Sequence, residues 1–452
     1  MKSIIKLLMC MALFAAMASC RKSDIDPELV TDQQIIELDE TATEFTINYK
    51  TNVSSVTVIP IVEWIKVNSL TPTSVTLLLQ ANESLEDRKG EIQFLYEKEL
   101  LARVVVTQKG KVPAEPELKG FYFLNEGQWG KNNATLGYYD FSASSYKDEW
   151  WSSINPSVRD GLGDVGNDVA VSGDWLLAVI NSSNLLEICN RDGVHIAAVE
   201  IPNCRMVKIE GDIAYVTSYA DEGYVAKVDL NERKVVATCK TGHEPEGLAI
   251  IGKTMYVLNS CGYHTDFTDG GNNEEASMSI IDLESFSEVE KSMLGIYNAY
   301  SPLTVLPDGK TFFINSSGDY NAVKPTSILF DTTEKKVTRN FGFGGAFADV
   351  FDGKLYIFDT SFSYTTFEWE NSNCVYDPVS GSISDFPVDE EEFESYGAPT
   401  GIWIDQTNGD IYIADKGNYT SPAFLYRYDK TGTQVAKINV GVCPGHLAWD
   451  WR

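Results

Sequence analysis

Four histidines in 452 residues, His195, His243, His264 and His446, leave little room for imidazole chemistry. The stretch "HEPE" at 243–246 offers His243 and Glu246 as a ligand pair, but one pair falls below the ligand count of a metal site. "HTD" at 264–266, near Cys261, has the residue types of a nucleophile and its base. Nucleophilic catalysis also needs an orienting partner and an oxyanion site, which one short stretch does not supply. Asp164 and Asp349 would suit glycosidase chemistry if they met, yet acidic residues are too numerous for any pair to be informative. No phosphate loop, GxSxG or dinucleotide fingerprint occurs. No catalytic residue, metal or cofactor is therefore expected, and the residues left to explain are those that bind.

The charge balance narrows the partners. Lys and Arg total 36 against 65 Asp and Glu, a net charge of -29. Such a surface repels nucleic acid and anionic lipid. Hydrophobic residues at 43% and aromatics at 12% describe a globular chain. Cys189, Cys204, Cys239, Cys261, Cys374 and Cys443 are scattered with no CxxC among them, which excludes a zinc ribbon. They read as buried thiols; an exported location would permit disulfides, whose pairing spacing alone does not reveal.

The elements that must position a site repeat along the chain. From residue 120 an apolar strand leads through a Gly-containing turn to a second strand that ends in polar residues. A third strand ends in Asp, and a fourth follows a charged turn. The second strands read "FYFLNEG", "WLLAVINSS", "IAYVTSY", "MYVLNSC", "TFFINSS", "LYIFDTS" and "IYIADKG". Seven four-stranded units with a two-residue apolar period predict an all-β, seven-bladed β-propeller over 120–452. The chain enters on a second strand and exits on the lone strand "GHLAWDWR". That last strand is expected to complete the first blade and abolish a sheet edge.

Such a meander gathers its second-to-third loops and interblade connections on one end. These loops are long and rich in amides, hydroxyls and aromatics, and the opposite turns are short. The ligand-binding face is expected to carry Trp129, Arg159, Arg205, Tyr219, His243, Glu246, Tyr263, His264, Tyr320, Tyr364 and Tyr419. The longest loop, inside "YVLNSCGYHTDFTDGGNNEEASMSIIDL" at 256–283, reads as one wall or lid of this site. The alternative is that the loops pack only on one another.

Upstream, "KVPAEPELKG" makes residues 111–119 a stiff linker. Residues 31–110 are short β-rich runs that predict a small β-sandwich. Trp64 in "WIKV", Arg88 with Gly90 ahead of a strand, and the closing "VVVTQKG" resemble the BACON-type Ig-like domains of exported bacterial proteins. Few aromatics face outward, so a spacer role is expected. Residues 1–19 read as a signal peptide, and "MASC" resembles the lipobox of bacterial lipoproteins. That resemblance implies lipidation of Cys20, with residues 20–30 as a polar tether. An ordinary secretory signal is the alternative.

With "FYFLNEGQWGKNNATLGYYD" at one end and "GIWIDQTNGDIYIADKGNYTSPAFLYRYDKTGTQVAKINVGVCPGHLAW" at the other, residues 120–452 resemble the YncE-like propellers of exported bacterial lipoproteins. This group includes surface-layer-like proteins and lipoproteins that capture cobalamin above an outer-membrane transporter. The resemblance implies a non-enzymatic protein anchored by lipid to the outer membrane and facing outward. Its ligand is expected to be cobalamin or a glycan, and a TonB-dependent transporter its partner. The alternatives are a propeller lyase or glycosidase acting on polysaccharide, and a protein-interaction platform.

Overall fold

A computed structural model describes residues 26–113, 115–159, 161–261, 274–300, 302–319, 323–344, 347–358, 361–363, 368–370, 372–393 and 395–452. Cys20, Tyr263, His264, Tyr320 and Tyr364 lie outside them, as does most of the longest predicted loop. The chain divides into two compact units, at residues 115 and 116. Both are all-β, with two short α-helices among the described residues, Trp150–Ile154 and Glu390–Phe393.

The first unit holds two four-stranded sheets. One is Leu29–Thr31, Glu44–Thr51, Ser74–Leu79 and Ile65–Leu70; the other is Ile35–Leu38, Glu99–Gln108, Arg88–Tyr96 and Thr57–Pro60. Their alternating apolar residues, among them Ile47, Leu77, Phe94 and Val104, share one buried core. The Trp64, Arg88 and Gly90 pattern has a local cause. The Arg88 guanidinium lies 4.3 Å from the Trp64 ring centroid. A Cβ at position 90 would come within 2.7 Å of Val62 and 3.1 Å of Trp64.

The second unit contains seven four-stranded antiparallel sheets. We label only the innermost strand of each, since these strands position the site: β1 (Gly166–Ser172), β2 (Cys204–Glu210), β3 (Pro245–Ile251), β4 (Thr304–Val305), β5 (Phe347–Phe351), β6 (Pro399–Ile404) and β7 (Pro444–Trp451). β7 hydrogen-bonds to Leu118–Asn125 and completes the first sheet. That first strand begins at Leu118, two residues earlier than the repeat pattern places it. Consecutive labelled strands pack together in two runs that meet at β7: β7–β1–β2–β3 and β4–β5–β6–β7. This is a β-propeller with its inner strands around an axis.

The recurrent Asp at the end of six of the seven third strands also has a structural cause. Asp140, Asp229, Asp282, Asp331, Asp377 and Asp429 each accept a backbone N–H two or three residues on, at 2.7–2.9 Å. An Asx turn of this kind reverses the chain without help from tertiary contacts. Two features depart from the sequence reading. Trp150–Ile154 forms a helical turn that buries Trp151. The loop between the second and third strands of the sixth sheet contains a hairpin, Ser361–Ser363 paired with Glu368–Glu370. All six described cysteines are free and buried.

Candidate functional site

Five inner strands lose register at the same end, which is the end where the long loops emerge. The irregularities lie between Gly166 and Asp168, Cys204 and Val207, Pro245 and Leu248, Pro399 and Gly401, and Pro444 and His446. A bulge leaves a residue unpaired and re-aims its side chain. Here it frees Asn167, Arg205 and Glu246 from their ladders, and these three join across three consecutive sheets. Arg205 Nη2 donates to Glu246 Oε1 at 2.8 Å, and Nη1 to Asn167 Oδ1 at 2.9 Å. The Arg205 guanidinium lies 4.7 Å from the Tyr219 ring centroid, and the Tyr219 hydroxyl donates to Glu246 Oε1. Arg205 Nε is buried without a hydrogen-bond partner.

A second ion pair adjoins the first. Lys416 Nζ donates to Glu126 Oε1 at 2.8 Å, and His446 Nε2 stands 3.9 Å from that oxygen. Glycine at 445 leaves room for the Glu126 carboxylate: a Cβ there would meet Oε1 at 2.9 Å and push it aside. Burial, and then the Lys416 and Arg205 cations, pull His446 down to about 3. Burial opposes the charge on Arg205, yet Glu246, with Tyr219 and Glu126, holds its guanidinium above the ordinary value. Burial and the Glu246 carboxylate push the Tyr219 phenol up. The cluster therefore presents two cations, two carboxylates, a neutral imidazole and a neutral phenol.

The loops that carry Glu126 and Lys416 also carry two exposed aromatics. Trp129 is 83% exposed, yet the loop that carries it is braced. Asp164 accepts the Gly130 N–H at 2.8 Å and the Asn132 N–H at 3.4 Å, and Asn133 accepts that of Gln128 at 2.8 Å. Tyr419, 52% exposed, follows Lys416 on the adjacent seventh sheet.

The structure thus brings together Arg205, Tyr219 and Glu246 of the sequence candidates, with Tyr419 near Lys416 and Glu126; Trp129 lies three residues beyond Glu126 on the loop that leaves that strand. His243 stands apart. Its Nδ1 is 3.0 Å from Glu274 Oε2, in a 390 Å³ cavity also lined by Cys261, Lys240 and Lys291. Arg159 turns away from the ring. It binds the Leu162 carbonyl at 2.8 Å and the fully buried Glu187 at 2.8 Å, and lies 5.0 Å from the Trp151 ring centroid. Glu187 also meets His195 Nδ1 at 2.6 Å. Asp164 and Asp349 have separate duties, the latter accepting the Ile404 N–H at 2.8 Å. Sequence reasoning missed Glu126, Lys416, His446 and Asn167. Among the described residues no group of three or more His, Cys, Asp or Glu side chains is arranged to hold a metal ion.

Two half-buried carboxylates tie neighbouring inner strands. Asp168 accepts the Val207 N–H at 2.9 Å, as Asp349 does that of Ile404. Burial outweighs these amide donors and pushes both carboxyls up to about 6. A carboxyl raised in the folded state gives stability that is full below about pH 4 and lost as pH rises through about 6. A depressed imidazole does the reverse: His446 gives stability that is present above about pH 6.5 and lost as pH falls toward 3. Relative to wild type, Asp349→Asn should therefore gain stability as pH climbs from about 4 to 6. His446→Gln should lose it over about 3 to 6.5, each slope being at most about 1.4 kcal/mol per pH unit. Denaturant unfolding across this range reads both; parallel curves for the three proteins would refute the assignment.

Comparison with known proteins supports the fold alone. No protein-family model matches the chain, and no curated protein matches it in sequence. Among solved structures, the chain is similar to a hydrazine synthase from Kuenenia stuttgartiensis: TM-score 0.50, 17% identity, 63% of this chain and 89% of that one. A quinonprotein alcohol dehydrogenase-like protein from Bacteroides thetaiotaomicron gives 0.49 at 13% identity, over 92% of this chain and 96% of that one. BamB from Moraxella catarrhalis gives 0.39 at 11% identity, over 73% of this chain and 93% of that one. Among the described residues no helix is long and apolar enough to cross a membrane.

Proposed function

We propose that this chain is a non-enzymatic capture protein, a seven-bladed YncE-like propeller on a BACON-type Ig-like spacer. In this reading Cys20 carries a lipid anchor to the outer membrane, and the protein faces outward. The loop end of the propeller takes up a small polar nutrient, cobalamin or a glycan, and passes it to a TonB-dependent transporter. The observation that supports this reading best is Trp129, a large apolar ring held in water on a loop fixed by Asp164. An exposed aromatic on a braced loop is a preorganised stacking surface. At the same end of the propeller, fixed donors and acceptors suit amide or hydroxyl groups of a ligand. Acid–base catalysis is poorly served there, since an imidazole at about 3 stays neutral at working pH and both carboxylates are held in ion pairs.

Calorimetric titration of the purified protein with cobalamins and with a glycan panel tests the reading; no heat from either class refutes it. Trp129→Ala should weaken the bound ligand by about 1–3 kcal/mol and leave the unfolding midpoint unchanged. Wild-type affinity in that variant would remove Trp129 from the site.

A further inference from the structure

We infer that Glu126, Lys416 and His446 form the polar subsite of the loop end, and that this subsite selects a neutral group able both to donate and to accept, a hydroxyl or a primary amide, over charged groups. The inference rests on the capture reading above. It adds to that reading the residues that read the ligand and the charge they admit.

A contrast with other ion pairs of the ring carries it. The side chains of Asp450 and Glu187 are fully buried, and both oxygens of each are engaged. Asp450 meets Arg191, Arg452 and the Tyr138 hydroxyl. Glu187 meets Arg159, His195 and the Cys189 thiol. Those pairs are dry and saturated, as structural ties should be. The Lys416–Glu126 pair is neither. Its side chains are 18% and 27% exposed, and that of His446 is 19% exposed. Lys416 Nζ spends one N–H on Glu126 Oε1 and keeps two. Among the described residues no side chain hydrogen-bonds Glu126 Oε2 or either ring nitrogen of His446, whose Nε2 stands too far from Glu126, at 3.9 Å. Shielded polar groups that stay unspent and in touch with solvent are those a ligand can complete in place of water.

The fold prepares this subsite locally. The register slip between Pro444 and His446 takes His446 out of the regular ladder, and Gly445 makes room for the Glu126 carboxylate. Tyr419 flanks it, with its phenol near enough to Lys416 and Glu126 to feel both charges. A group that completes the subsite must accept from Lys416, donate to Glu126 Oε2, and do either with the imidazole. Burial and the Lys416 and Arg205 cations keep that imidazole neutral, so it offers one N–H and one lone pair. A hydroxyl or a primary amide meets all three demands. A carboxylate would find Lys416 already paired and face Glu126; an ammonium would face Lys416. One cation and one carboxylate leave no net charge to offset the desolvation of a charged group.

Calorimetry of the full-length protein with matched probes tests this. Cyanocobalamin is set against its monocarboxylic acids, and a neutral oligosaccharide against the same chain ending in a uronate or an amino sugar. The first set reports an amide source and the second a hydroxyl source. In whichever set binds, the neutral member should bind at least about tenfold more tightly. His446→Leu should lower its affinity about tenfold, whereas His446→Gln, which still donates and accepts, should stay within about threefold of wild type. Glu126→Gln leaves Lys416 without its counter-charge, so it should erase or reverse the preference over the carboxylate probe; a purely structural pair would leave that ratio unmoved. Should His446→Leu fail to fold, Glu126→Gln decides alone. No heat from any probe sinks the capture reading and this inference with it. Binding in which charged and neutral members are equal, or which ignores His446 and Glu126, overturns this inference and leaves the capture reading standing.

Discussion

A chain truncated after Cys443 is expected to lose the cooperative unfolding of its second unit. The missing residues include β7, which supplies the inner strand of the first sheet. Without it, Leu118–Asn125 keeps an unpaired edge along a strand in which Phe121, Tyr122, Phe123 and Leu124 are fully buried. Trp449 lies 5.8 Å from the Phe121 ring and 5.5 Å from that of Tyr412, so it bridges the first and seventh sheets. Asp450, fully buried, binds Arg191 at 2.8 Å, Arg452 at 3.0 Å and the Tyr138 hydroxyl at 2.9 Å. Each large apolar side chain uncovered costs about 1.5–3 kcal/mol, and stripping a buried ion pair of one partner about 3–5 kcal/mol. Together these match the whole net stability of a domain, about 5–15 kcal/mol. Asp450→Ala alone should cost about 3–5 kcal/mol, because it strands Arg191 beneath the first sheet. Guanidinium unfolding followed by tryptophan fluorescence reads both variants. A truncated chain with an unchanged, single transition would mean that β7 does not close the ring.

The repeat made these sheets readable because each local choice agrees with the next. Alternating apolar residues give the strand, and Asp377 or Asp429 gives the turn that follows. Arg205 and Glu246 were visible as polar residues in loop-like stretches, but their true setting is a strand bulge, which no period reveals. Even so, a signal for the missed residues is present. Glu126 in "LNEG" and Lys416 in "ADKG" occupy the same slot in the first and last units, with opposite charge. Ring closure makes those units neighbours, so aligning the repeats pairs the two residues. Glu187 was hidden for another reason. In "LLEICN" it reads as an ordinary polar position on a strand, and only the tertiary fold brings Arg159 over it. Contact between side chains distant in sequence leaves no trace in local pattern.

The Arg205 cluster separates stability from binding in a way that one variant does not. Arg205→Ala removes the cation from Glu246, a carboxylate only 3% exposed, and takes the hydrogen bond from Asn167. The expected loss is about 3–5 kcal/mol, since an uncompensated buried charge remains. Glu246→Gln should cost less, because the amide oxygen still accepts from Tyr219 and Arg205 keeps Asn167. The double variant Arg205→Met with Glu246→Leu should recover most of the stability lost by Arg205→Ala, because apolar groups of similar volume replace a desolvated pair. If the pair serves only to hold three sheets together, this double variant also retains ligand binding at the loop end. If it orients a ligand, the double variant is folded and does not bind, for its unpaired Nε and fixed carboxylate are gone. Unfolding midpoints and calorimetry on the same samples distinguish the two outcomes. An Arg205→Ala protein as stable as wild type would show instead that water reaches Glu246 and that the bulges leave the ring open.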